Sequence, residues 1–326
     1  MAVRKAVITA AGRGVRLYPV SDTVQKGMLP LMDCDGLIKP VIQIIAEEAL
    51  DSGIEEVCLV CAPGDETQYR AQLGRLRDNL LEGYEGEKWA QDQAARLDNL
   101  IVRLSFAVQE QPLGYGHAVY CAREFVGEES FLLLLGDHLY ISQMPGESCA
   151  QQLLRLAALE NCAVAAVNPT REHQVGNYGT LSGKRLPHLS GVYEIERIIE
   201  KPSLSLAELE LSTPGLRSGH YLCLFGMHVL PHRIFGLLEQ QMQGGAAGEG
   251  GWQLTPALQE LANREKYLAA ELQGARWDIG AKFGLLQAQI ALGMAGCECD
   301  NMLTLIVEQM AAAALNRGNT SREPRT

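Results

Sequence analysis

The sequence predicts an α/β fold in which one sheet carries helices on both faces. Three observations predict it. Short apolar runs rich in β-branched residues alternate with longer stretches of helical spacing along most of the chain. The run Val7, Ile8, Thr9 passes directly into a glycine turn at Gly12 and Gly14. A chain of 326 residues with a hydrophobic fraction of 47% can also bury a substantial core.

Taken in order, Ala6 to Thr9 reads as the first strand, Pro40 to Ser52 as a helix and Glu56 to Cys61 as the next strand. Glu66 to Leu97 reads as helical, with a charged, exposed portion around Glu85 to Gln93. Ile101 to Val108 and Phe131 to Leu135 are further strands, separated by a helix that begins near His117. Cys162 to Val167, Gly191 to Glu200 and Tyr221 to His228 complete the strands. The glycine-rich segment Gly244 to Gly251 is long enough to act as a mobile loop. Beyond Gly280, FGLLQAQIALGMAG and NMLTLIVEQMAAAALNR place apolar residues three and four apart, the mark of helices. The expected organisation is a main domain over 1–290, a helical extension over 291–317 and a disordered polar tail over 318–326.

Composition excludes several functions. The net charge of −11 argues against nucleic acid, whose phosphates call for an extended basic face. No apolar run approaches the ~20 residues of a membrane span. The opening MAVRKAVITAAG lacks the architecture of a cleavable signal, so a cytoplasmic protein is expected. Nine cysteines are scattered through apolar segments, which suits buried thiols in a reducing compartment. Cys58 and Cys61 have C-x-x-C spacing but sit in a strand, where residues three apart face opposite sides and cannot share a zinc ion. Cys297 and Cys299 lack a second ligand cluster.

The chemistry concentrates in KAVITAAGRGVRLYPVSDTVQKGMLP, Lys5 to Pro30. Glycines let main-chain N–H groups approach phosphate oxygens, while Arg13, Arg16 and Lys26 supply positive charge. Arg16 offers a planar fork and Lys26 a mobile point charge. The loop fits neither a dinucleotide fold, which wants a third glycine where Leu17 stands, nor a Walker A loop, which wants Gly-Lys-Ser/Thr at the helix start. In a chain of net charge −11, a divalent metal must help these few cations neutralise a polyphosphate. Asp137 follows FLLLLG, just past the carboxyl end of a buried strand where open α/β sheets bind ligands; it either caps the next turn or serves the site. Asp278, in WDIG, either caps a helix near Phe283 or does the same. Glu200 and Lys201 end another apolar strand, as a solvated pair or as ligand groups. Gln109 leaves a strand with both a donor and an acceptor to offer. His117, at a helix start, is read as structural.

AAGRGVR followed by KGMLP resembles the A-A-G-x-G-T-R and K-x-M-L-P signature of sugar-1-phosphate nucleotidyltransferases. KPVIQ, LGYGHAV, LLGDHLY, NYGTL, IEKP, QLT and WDIG continue the likeness in one order over about the first 290 residues. Within that family the bacterial UTP:glucose-1-phosphate uridylyltransferases are most similar. The resemblance implies a three-layer α/β/α, Rossmann-like fold with a mixed, mostly parallel sheet and C-terminal helices that either mediate homo-oligomer assembly, as expected here, or pack on their own sheet. It implies UTP and glucose 1-phosphate as substrates, with no nucleic-acid or membrane partner. Ala10, Ala11, Gly12, Gly14, Gln109 and Gly114 fall at its nucleotide positions and Gly179, Glu200, Lys201 and Gly226 at its sugar-phosphate positions. Asp137 and Asp278 fall at its Mg²⁺ ligands. Arg16, Lys26 and Lys201 take the catalytic positions, on the β- and γ-phosphates, the α-phosphate and the incoming phosphate. The chain departs from the pattern at Val15 for threonine, at Gln25 for proline, at Gly27 for an acidic or amide residue, and at Trp252 and Pro256 around Gln253. The same chemistry with dTTP, CTP or ATP, or with another sugar phosphate, and a non-catalytic nucleotide-sugar sensor are the competing readings.

Overall fold

The computed structural model describes residues 2–12, 14–17, 19, 23–245, 247 and 250–320. Its strands are β1 (Val3–Thr9), β2 (Pro30–Met32), β3 (Ile38–Pro40), β4 (Glu56–Cys61), β5 (Leu104–Val108), β6 (Ser130–Leu135) and β7 (His138–Ser142). They continue with β8 (Ala163–Arg171), β9 (Thr180–Arg185), β10 (Val192–Ile199), β11 (His220–Leu230), β12 (Tyr267–Glu271) and β13 (Gly274–Asp278). The helices are α1 (Val41–Leu50), α2 (Asp65–Gly83), α3 (Lys88–Arg103), α4 (Tyr115–Cys121), α5 (Arg123–Val126) and α6 (Cys149–Glu160). Then come α7 (Leu204–Glu210), α8 (Ile234–Gln243), α9 (Thr255–Arg264), α10 (Gly284–Ala295) and α11 (Cys299–Thr320).

Nine strands form one sheet in the order β5-β4-β1-β6-β11-β8-β12-β10-β9. Helical crossovers make β5, β4, β1 and β6 parallel neighbours, and β8 and β12 are parallel too. The remaining pairings are antiparallel, and β9 also bonds back to β11, which rolls that half of the sheet. Helices cover both faces because the strands are apolar on both. Ala6 and Ile8 of β1 pack with α1, α2, α3 and α6, whereas Val7 packs with α4, α8 and α9. The two cysteines of the C-x-x-C follow the same alternation: Cys61 joins the first cluster, Cys58 the second, and all nine cysteines are free.

Some boundaries differ from those expected. The single helix over 66–97 is two, α2 and α3, because Gly86 turns the chain with φ +87° between them. Ala90, Ala94, Leu97 and Leu100 carry the buried stripe of α3 on through Arg103. Residues 101–103 are therefore helical and β5 starts at Leu104. The expected boundary at 290 falls inside α10, which packs on β13, β7 and β2. Helix α11 runs to Thr320, past 317, and the rest of the expected tail, 321–326, lies outside the described residues. So do 246, 248 and 249 of the glycine-rich loop. Among the described residues no helix is long and apolar enough to cross a membrane.

One polar cluster is buried within this frame. Lys39, its side chain 4% exposed, lies 2.7 Å from Asp33, 2.7 Å from Asp35 and 3.1 Å from Glu47. Arg96 of α3 reaches the other side of the cluster, 2.9 Å from Glu47. These contacts tie the β2–β3 hairpin to α1 and α3. Removing one member of a buried ion cluster leaves the others uncompensated, at a cost of about 3–5 kcal/mol. Lys39→Ala should therefore lower the free energy of unfolding by that amount in urea titrations, and a loss under 1 kcal/mol would show that the cluster is solvated.

Candidate active site

Strand β6 is sealed in the sheet, with Leu132, Leu133 and Leu134 fully buried, and it delivers Asp137 to the sheet's carboxyl edge. The turn is tight: a methyl group on Gly136 would lie 2.8 Å from the carbonyl oxygen of Thr9. Strand β7 then pairs antiparallel with β13, setting His138 opposite Asp278, while the Ile279 N–H donates to the Asp137 carbonyl at 3.0 Å. A side chain on Gly284 would run into the Asp278 carbonyl oxygen, so the 278–284 turn closes only over glycine. Donor atoms of Asp137, His138 and Asp278 consequently lie within 4.8 Å of one another.

Each acid is met by a cation. Lys26 donates to Asp137 at 2.8 Å, and the Arg16 fork donates to both oxygens of Asp278 at 2.8 and 3.3 Å. Arg16 also comes within 3.7 Å of Asp137, placing it between the carboxylates. His138 Nδ1 donates to the second Asp137 oxygen at 2.8 Å, since a carboxylate can only accept. Burial alone would raise the Asp137 carboxyl, but the His138 hydrogen bond and the Lys26 charge outweigh it and hold the group far below the usual carboxylate range. Asp278 does not cap α10, which follows Phe283, in a left-handed conformation, with no side-chain cap bond; its carboxylate accepts from the Gly280 N–H at 2.8 Å instead.

Two adjoining cavities meet at Asp137. The smaller, about 310 Å³, is lined by Ala11, Gly12, Lys26, Gln109, Gly114 and Tyr115 among others. The larger, about 710 Å³, takes Arg16, Gly179, Glu200, Lys201, Gly226 and Asp278. Strand β11 forms part of the wall of the larger cavity through Leu224, Gly226 and His228, where its register shifts around Gly226, a bulge with φ +87°. Lys201 is itself held at φ +44°, with its N–H on the Tyr178 carbonyl, a left-handed conformation costing about 1–3 kcal/mol. Glu200 accepts from the Thr255 hydroxyl. Gly114 and Gly116 are pressed against the backbone of 251–253, with Trp252 N donating to Leu113 O and Gly116 N to Trp252 O.

Of the expected residues, Ala10 and Gly14 do not line either cavity. Ala10 is buried in the core with its N–H on Val60 O, and Gly14 makes the turn with φ +61°. Arg13 lies outside the described residues, as does the Val15 side chain. His138, Thr255 and Arg276 were not singled out from sequence. Arg276 donates to Leu224 O at 2.6 Å and stacks 4.2 Å over the Tyr178 ring. Each of the three lies in or beside a recognised motif, LLGDHLY, QLT or WDIG, which is the signal available for them.

The sequence model of the family described as Nucleotidyl transferase matches residues 5–293. The chain belongs to the nucleotidyl transferase family. This nucleotidyl transferase is 34% identical over 313 residues to the UTP–glucose-1-phosphate uridylyltransferase YngB of Bacillus subtilis, covering 94% of this chain and 95% of the relative. It is 34% identical over 299 residues to the UTP–glucose-1-phosphate uridylyltransferase of Streptococcus pneumoniae, at 88% and 89% coverage. Among solved structures it resembles a UTP-bound UGPase from Acinetobacter baumannii with TM-score 0.74 and 27% identity, covering 94% of this chain and 99% of that one. A UDP-glucose pyrophosphorylase complexed with UDP-glucose gives TM-score 0.71 and 28% identity, with 89% and 98% covered.

Two converging carboxylates are hard oxygen donors and suit a divalent cation, and Lys26 and Arg16 also compensate their charge. His138 donates to Asp137 and so orients that carboxylate. The nucleotidyl transferase also explains its own departure at Gly27: a methyl group there would lie 2.9 Å from the hydroxyl of Tyr69, which is 1% exposed. Tyr69 fills the space a larger residue would need. Gly27→Ala should cost about 1–3 kcal/mol through overpacking beside Lys26, and Tyr69→Phe in the same chain should recover most of it in a double-mutant cycle. Additive losses would mean the two do not touch.

Proposed function

We propose that this nucleotidyl transferase forms UDP-glucose and pyrophosphate from UTP and glucose 1-phosphate. The observation that carries the reading is the placement of Asp137 and Asp278 where the cavity lined by Gln109 and Gly114 adjoins the one lined by Gly179, Glu200 and Lys201, in a chain whose relatives are named for this reaction. A phosphate oxygen of glucose 1-phosphate attacks the α-phosphorus of UTP; that O–P bond forms as the bond to the β-phosphate oxygen breaks, and pyrophosphate leaves in line. The nucleophile is already anionic, so alignment and charge screening are the enzyme's work. Lys26 takes the α-phosphate, Arg16 the β- and γ-phosphates and the leaving pyrophosphate, and Lys201 the incoming phosphate. Glu200 accepts from sugar hydroxyls, and Gly179 and Gly226 leave room for the ring. Gln109 and Gly114 receive the base.

Asp137 and Asp278 would hold Mg²⁺, which when bound screens the two phosphates from each other. The pairs seen here, Lys26 with Asp137 and Arg16 with Asp278, free both cations for phosphate once the acids have another partner. A homo-oligomer is supported by the exposed apolar side chains Leu303, Leu305, Val307 and Met310 of α11 beside Leu286 and Met294 of α10. The compartment is the cytoplasm, in keeping with reduced cysteines.

Pyrophosphate release assayed across four nucleoside triphosphates and several hexose 1-phosphates should be fastest with UTP and glucose 1-phosphate; greater turnover with another pair would replace the reading. Lys26→Ala should lower turnover by ~10²–10³, and a change of only a few fold would remove Lys26 from the phosphate role. Chelation with EDTA should abolish activity, and Mg²⁺ should restore it; full activity in the chelator would exclude the two-aspartate metal site.

A further inference from the structure

Gln109 leaves the end of β5 in a buried position, and its side-chain nitrogen lies 3.1 Å from the carbonyl oxygen of Gly114 and 3.0 Å from Nδ1 of His117. A carbonyl oxygen can only accept, so the nitrogen end of the amide must face Gly114. Its second hydrogen then points at His117, which requires a lone pair on Nδ1 and places the ring hydrogen on Nε2. Burial, and next the charge of Arg123, push the His117 pKa down, which keeps that lone pair free of a proton. Cys121, one helical turn on, sits 4.0 Å from the same Nδ1 and is a weak competing donor. Both amide hydrogens of Gln109 are thereby used inside the protein. Among the described residues its Oε1 has no partner, and Gln109 lines the smaller cavity.

We propose that His117 is a positioning residue for base selection: by holding the nitrogen of Gln109 it turns Oε1 toward the cavity, so that the base must present an N–H there. This rests on the reading of the smaller cavity as the nucleotide site. Uracil and thymine meet the requirement with the hydrogen on N3. Cytosine carries a lone pair at that position and can offer only its 4-amino group, one atom further round the ring, which displaces the base. A terminal amide torsion has two broad wells, and the flipped amide would present NH₂ and welcome cytosine instead. His117 and Gly114 together select between them.

The test is equilibrium binding of UTP, CTP and 3-methyl-UTP, by calorimetry without sugar phosphate, to the intact protein, His117→Leu and His117→Asn. The wild-type chain should bind UTP at least about tenfold more tightly than either of the others, one hydrogen bond lost being worth that factor. His117→Leu should reduce the UTP-to-CTP preference by about tenfold. His117→Asn, whose Oδ1 accepts near the place of Nδ1, should restore it. The 3-methyl-UTP comparison needs no variant, so the orientation of Oε1 is tested even if a substitution prevents folding. Equal binding of 3-methyl-UTP and UTP, or a preference for CTP, overturns the proposal. An unchanged ratio in His117→Leu, or a loss that Asn does not rescue, removes His117 from it. Binding with the expected preference but without formation of UDP-glucose would refute the proposed activity and leave this inference standing.

Discussion

Two carboxylates that repel each other are held together at the edge of the sheet, and most of the surrounding design follows from that. Asp137 arrives from β6 and Asp278 from β13, strands far apart in sequence, and the β7–β13 pairing fixes them as neighbours. Two ionised acids at this separation are tolerable only with compensating charge or hydrogen bonds. Lys26, Arg16 and His138 provide it, each from a different segment. The glycines at 136, 280 and 284 keep the turns narrow enough for the arrangement to close. On the proposed function the same groups receive phosphate, so one set of charges serves both the ion pairs and the reaction.

The second constraint is the shape of β11. A strand running straight through the sheet would leave no room between its two halves. The bulge at Gly226 bends it, and pairing with β8 on one side and β9 on the other opens the larger cavity beside Asp137. The backbone of 251–253 closes over Gly114 and Gly116, binding the segment that follows β5 to the start of α9. Here glycine serves protein packing: at Gly114 a side chain would meet Trp252 backbone before it met a ligand.

The departures from the family pattern are of different kinds. Gly27 is compensated by Tyr69, which packs where a side chain would have gone, so the 3-10 turn carrying Lys26 keeps its place. Gln25 is held by Asp65 and Gln68 at the start of α2, a polar anchor where proline would have fixed the backbone. Nothing in the structure explains Pro256 beyond its suitability in the first turn of α9.

The residues alone specified the α/β class and most of the buried strands, because apolar periodicity is a local property of a chain, while the convergence of Arg16, Lys26, Asp137 and Asp278 was implied by the ordered motifs of the family resemblance. The apolar run FLLLLG announced β6, and with it the position of Asp137. The strands β2, β3, β7, β9, β12 and β13 were not legible, since short strands are fixed by the partner they pair with and most of these partners are distant in sequence. For the same reason the role of His138 beside Asp137, the stacking of Arg276 on Tyr178 and the bond between His117 and Gln109 belong to the tertiary structure. A hydrogen bond's direction depends on which group lies opposite, and only the folded chain decides that.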